Sequence, residues 1–127
     1  MEVLSSRIIL CPRDRPATIR FYEETLGLPV YREWGEDAGR CVVFFIGSGL
    51  LEISGVAVQE HSDTLRLFLQ VRDLAETRRV LGERGVLIEA EPERKPWGLF
   101  EMSCRDPDGL ELVFVEVPAD HPLRRRA

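Results

Sequence analysis

Apolar and polar residues alternate along 65–71, "LRLFLQV": Leu65, Leu67, Leu69 and Val71 fall on one side, Arg66, Phe68 and Gln70 on the other. A period of two is the mark of a β-strand whose faces meet different surroundings. The pattern then changes. Asp73 is placed to cap a helix, Glu76 stands three residues on to complete a capping box, and Gly85 stops the helix. A similar passage opens the chain. "RIIL" leads to Asp14 and Pro16, which start a helix, and Gly27 ends it, with Ile19, Tyr22 and Leu26 as its apolar stripe. Short strands are expected after each helix, over 29–34, 40–46 and 50–54, and again over 86–90, 99–104 and 110–117. "GSG" (47–49) and "DPDG" (106–109) mark turns, and Asp106 and Asp108 are expected to bond backbone N–H groups there.

The two passages are copies. With the chain shifted by 59 positions, 7–28 and 66–87 share Arg7/Arg66, Leu10/Leu69, Arg13/Arg72, Asp14/Asp73, Thr18/Thr77, Arg20/Arg79, Glu24/Glu83 and Leu28/Leu87, eight identities in 22 positions. The repeat makes the fold class α+β, two tandem βαβββ modules within a single domain over 1–127. The first module covers about 5–55, a linker 56–63, the second module about 64–118 and a tail 119–127. One helix covers only one face of a four-stranded sheet. Two modules side by side are expected to curl their free faces into an eight-stranded, cup-shaped cleft. Arg66, Phe68 and Gln70, and by the repeat Arg7, Ile9 and Cys11, then stand on its wall.

Composition narrows the function. The net charge of -5 argues against nucleic acid as the main partner, and the basic end "LRRRA" reads as solvated. No apolar run is long enough to span a bilayer, and the N-terminus lacks the pattern of a signal peptide, so a cytoplasmic protein is expected. Cys11, Cys41 and Cys104 are odd in number and widely spaced, as reduced and mostly buried thiols would be.

Three segments carry a resemblance: "FYEETLGLPV" (21–30), "VRDLAETRRVLGERGV" (71–86) and "KPWGLFEMSCRDPDGLELVFVE" (95–116). In this order, and duplicated, they resemble the vicinal oxygen chelate superfamily. It includes glyoxalase I, extradiol dioxygenases, methylmalonyl-CoA epimerase, fosfomycin-resistance enzymes and bleomycin-resistance proteins. The resemblance implies the βαβββ fold and says little about the reaction, since one fold hosts many. Its enzymes typically hold a divalent metal through His or Glu, one from each of four strands. The matching positions here are Arg7, Glu52, Arg66 and Val113, so one possible ligand of four remains. Arginine has no lone pair to offer a metal. His61 lies in the linker and His121 in the tail, and a makeshift set of Glu52, Glu111 and His61 has no motif behind it.

No metal, no cofactor and no catalytic constellation is therefore expected. Arg7 and Arg66 have two roles open to them: pairing with Glu52, Glu101 or Glu111, or donating to a ligand carboxylate, phenolate or quinone oxygen. Trp34, Phe45, Phe68 and Trp97 are candidate aromatic walls for a flat ligand, with Trp34 and Phe68 foremost, while Trp97 suits the core equally and Phe44 and Phe100 are expected to face the helices. The resemblance is nearest to the bleomycin-resistance branch. It implies a homodimer that sequesters a small, aromatic, antibiotic-like molecule without metal. The competing reading is a superfamily enzyme, a lyase, isomerase or dioxygenase, with an unusual metal set or a general base at Glu52, Glu101 or Glu111.

Overall fold

The computed structural model describes residues 1–59 and 63–124. It divides into two compact units, Met1–His61 with Pro107–Gly109, and Ser62–Asp106 with Leu110–Ala127. Each holds one four-stranded sheet and one principal helix, the α+β arrangement that the repeat implies.

In the first unit, β1 (Ile8–Leu10), α1 (Arg15–Arg20), β2 (Val30–Trp34), β3 (Cys41–Ile46) and β4 (Gly49–Ile53) follow in order. The sheet runs β1-β4-β3-β2, with β1 parallel to β4 and the other pairs antiparallel. The second unit repeats this with β5 (Arg66–Gln70), α2 (Leu74–Glu83), β6 (Ile88–Arg94), β7 (Phe100–Arg105) and β8 (Glu111–Glu116), ordered β5-β8-β7-β6. Among the described residues no helix is long and apolar enough to cross a membrane.

The helix starts repeat atom for atom. Asp14 Oδ1 accepts from Ala17 N at 3.1 Å, and Asp73 Oδ1 accepts from Glu76 N at 3.0 Å. The expected capping box goes no further, because the Glu76 carboxylate is taken by Arg79, 2.9 Å from its Nε. Glu116 of β8 serves α2 instead, accepting from Leu74 N at 2.8 Å. The helix ends differ. Gly27 lies thirteen positions after Asp14, but Gly85 lies twelve after Asp73, both with positive φ. The extra residue is absorbed where α1 runs into a π turn over Phe21–Thr25, closed by Leu26 N to Phe21 O at 2.9 Å.

The cores lie between each helix and its sheet. Ile19, Tyr22, Val42, Phe44, Leu51 and Ile53 are buried in the first unit, and Leu74, Leu81, Met102, Cys104, Leu112 and Phe114 in the second. Strand β6 is longer than its apolar stretch predicts. It continues through "EPER", half out of the ladder, with register shifts at Ala90 and Glu93. It is an edge strand, where Pro92 costs no ladder bond. In the "DPDG" turn, Asp106 Oδ1 accepts from Leu110 N at 3.0 Å, as expected, whereas Asp108 Oδ1 accepts from the distant Arg13 N at 3.1 Å.

Candidate functional site

In the second unit the sheet face away from α2 is built by alternation. Arg66 and Phe68 on β5 stand beside Glu111 and Val113 on β8, and Ser103 on β7 stands beside Val113. The edge strand adds Ala90, paired with Ser103 through the bulge. The turn after β6, closed by Gly98 N to Lys95 O at 2.9 Å, brings Lys95 and Trp97 over this face. Together with Glu101 and Met102 these residues line a cavity of about 540 Å³. Five of the residues expected to bind a ligand, Arg66, Phe68, Trp97, Glu101 and Glu111, thus meet in one place.

The cavity pairs apolar surface with charge. Phe68 and Trp97 are 54% and 58% exposed and so leave ring surface open to a ligand. Trp97 is held by its polar edge: indole Nε1–H donates to Glu101 Oε2 at 2.6 Å. Arg66 lies 3.7 Å from Glu111, an ion pair too long to be a hydrogen bond. Glu111 is also 3.9 Å from Arg105, so it sits between two guanidinium groups. Lys95 Nζ is 3.4 Å from Glu93.

The other candidates lie on the face of the first sheet away from α1. Arg7 Nη1 donates to Glu52 Oε1 at 2.9 Å, and Ser54 Oγ donates to Glu52 Oε2 at 2.8 Å. The Ser54 hydroxyl, with Arg7 and Arg32 behind it, holds the Glu52 carboxyl below the usual carboxylate range against the opposing effect of burial. Trp34 carries Arg32 over its ring at 5.4 Å, and Phe45 meets Tyr31 edge-on at 5.1 Å. Cys11 is exposed, whereas Cys41 and Cys104 are buried. Burial pushes the Cys104 thiol up to about 11, with Asp106 and Glu89 adding to the effect.

The four positions where metal-binding relatives place ligands can be compared directly. Glu52 pairs with Ile9 across the first sheet, and Val113 pairs with Phe68 across the second. Ile9 and Phe68 are 59 positions apart, so Glu52 and Val113 hold equivalent places in the repeat. Glu52 alone offers a lone pair, and its oxygens are engaged by Arg7 and Ser54. These residues do not fit a divalent metal. No group of three or more His, Cys, Asp or Glu suited to a metal gathers among the described residues, and His61 lies outside them.

Sequence reasoning missed Lys95, Ala90, Met102 and Ser103, and had Val113 only as a metal position. Ser103 was within reach, since it shares a face with Glu101 at a period of two. Lys95 is the chain's one lysine and sits two residues before Trp97, but only the closed turn aims it. Ala90 arrives through an edge-strand bulge that no local pattern signals.

Comparison with known proteins agrees with this architecture. The model of the Glyoxalase/Bleomycin resistance protein/Dioxygenase superfamily matches residues 5–114, and the chain belongs to that family. The uncharacterized protein YraH of Bacillus subtilis (strain 168) is 29% identical over 122 residues, covering 85% of this chain and 92% of YraH. Among solved structures, TnmS3, an antibiotic binding protein from Streptomyces sp. CB03234, superposes with a TM-score of 0.75 at 22% identity, over 92% of this chain and 98% of TnmS3. A lactoylglutathione lyase from Agrobacterium tumefaciens superposes at 0.65 and 18% identity, over 91% and 94% of the two chains. Likenesses this distant establish the shared fold, which carries both a binding protein and a lyase.

Proposed function

We propose that the chain is a metal-free binding protein that captures a small, flat, aromatic molecule, antibiotic-like in character, in the cavity of its second unit. The observation that carries this is the cavity of about 540 Å³ whose aromatic walls surround a guanidinium beyond hydrogen-bond reach of its carboxylate. A cavity of that size suits a drug-sized ligand. Phe68 and Trp97 offer ring faces for stacking. Arg66 presents a planar fork to a carboxylate, phenolate or quinone oxygen. The fold shared with an antibiotic binding protein supports the same reading. Capture is stoichiometric and leaves the ligand unaltered. The working form is a homodimer, as the family resemblance suggests.

Thermal shift of the purified protein tests this, after elemental analysis for bound metal. The panel holds planar aromatic compounds with anionic, neutral and cationic groups, 2-naphthoate among them, and the salts of Ni, Zn, Mn and Fe(II). A ligand at about 100 times its Kd stabilises the native state by about 2.7 kcal/mol. Stabilisation by an aromatic compound recovered unchanged, with none from metal alone, is the expected result. Stoichiometric bound metal, or turnover of the compound, would replace this reading with a superfamily enzyme.

A further inference from the structure

The turn that carries Trp97 is braced from an unexpected quarter. His121 lies beyond β8, in the segment that sequence pattern marks only as a tail. Its Nε2 is 3.2 Å from Trp97 O, and Leu123 N–H donates to its Nδ1 at 3.2 Å. Because Nδ1 accepts, the proton of the neutral ring resides on Nε2 and is donated to Trp97 O. The main chain around His121 is tied down. His121 N bonds Pro118 O at 3.0 Å, Arg124 N bonds His121 O at 2.9 Å, and Arg124 Nε bonds Val117 O at 2.8 Å. The imidazole also lies against Gly98, where φ is +91° and a Cβ would come 3.3 Å from His121 Cδ2. Glycine suits this position for its backbone angle, and a Cβ here would crowd the ring.

We infer that His121 is a positioning residue for the ligand cavity, fixing Trp97 from its backbone side while Glu101 fixes it from its indole side. A ring that is 58% exposed gains little orientation from packing. The bond to Trp97 O holds the turn's backbone and the indole bond to Glu101 holds the side chain, and together they place the ring over the cavity. The cost of ordering the aromatic wall is met before the ligand arrives, so affinity is higher than a free indole would give. The inference rests on the cavity being the ligand site.

The test separates the two claims. Trp34→Phe leaves Trp97 as the sole tryptophan and serves as the reference protein. Time-resolved anisotropy of Trp97, and its quenching by 2-naphthoate, are measured in this background for His121→Asn, which keeps an acceptor near Nδ1 and cannot reach Trp97 O, and for His121→Gln, whose amide reaches it. Circular dichroism checks that each variant is folded, and His121→Ala is the second loss variant. His121→Asn is expected to free the indole and weaken 2-naphthoate roughly three- to tenfold, the worth of one hydrogen bond, with recovery in His121→Gln. Unchanged anisotropy and affinity in folded His121→Asn or His121→Ala would overturn the inference. If 2-naphthoate does not bind the reference protein, or binds Trp97→Ala equally well by calorimetry, the cavity reading itself fails.

Discussion

Arg7 and Arg66 occupy matching places in the repeat, yet their surroundings differ. Arg7 is spent on Glu52, within hydrogen-bond distance, while Arg66 is 67% exposed along its side chain and stands off from Glu111. Arg66→Gln is expected to weaken binding of 2-naphthoate about tenfold while moving the unfolding midpoint little, as paired calorimetric and thermal measurements would show. Arg7→Gln should do the reverse, costing about 1 kcal/mol of stability or less because the pair is partly exposed. The Glu52 carboxyl is lowered in the folded state, chiefly by Ser54. Its contribution is therefore complete above the ordinary carboxylate value of 4.5 and is lost as pH falls through the lower folded value. Urea unfolding of Glu52→Gln beside the parent should show a gap at neutral pH that closes on acidification. The thiols offer a further check: Cys11, exposed, should react with a disulfide reagent in the native protein, and buried Cys41 and Cys104 only on unfolding.

At the level of elements, the two helices show how copies diverge. Thr18 and Thr77 are repeat partners, each four residues after its capping Asp. Thr77 Oγ1 donates to Asp73 O at 2.8 Å, but the Thr18 hydroxyl, on a residue 1% exposed, has no partner among the described residues. A buried hydroxyl without a bond costs about 1–3 kcal/mol. Thr18→Val, of nearly the same shape, should therefore raise the denaturant midpoint, whereas Thr77→Val should lower it slightly. The pattern of strands and helices was readable wherever it depends on neighbours in sequence: caps at Asp14 and Asp73, glycine stops, and alternation along β5. It was unreadable where a distant residue intervenes. Glu116 supplies the N-terminus of α2 across 42 positions, and Asp108 caps Arg13 across 95. The π turn that continues α1 absorbs the one extra residue between Asp14 and Gly27, a difference in spacing that takes on meaning only in the folded helices.

On the scale of the whole molecule, membership in a superfamily that includes metalloenzymes makes metal dependence the sharpest question. Guanidinium groups at two of the four ligand positions repel a cation, and the third holds a valine. Incubation with a strong chelator is expected to leave the unfolding temperature unchanged. A drop that added Zn or Ni restores would contradict that expectation. Light scattering of the purified protein is expected to give twice the 14.5 kDa chain mass, and a single chain mass would contradict the proposed homodimer.

Alternation, capping and the repeat depend on residues close along the chain, and so the strand count, the helix starts and the duplicated βαβββ order could be read from 127 letters. The resemblance further pointed to four positions where relatives hold a metal, and three of them, Arg7, Arg66 and Val113, carry no metal-binding atom. What tertiary structure alone decided is which candidates meet. Glu101 was a partner open to either arginine and proves to hold Trp97; Trp97, equally suited to the core, overhangs the cavity; Trp34 stands on the other sheet. Those outcomes depend on a bulge in β6, a hairpin closed at Lys95 and a histidine returning from beyond the last strand. The bulge pairs Ala90 with Ser103 and the histidine meets Trp97, contacts between segments that no local pattern joins; the Lys95–Gly98 turn is local, but what it overhangs is decided by the folded sheet.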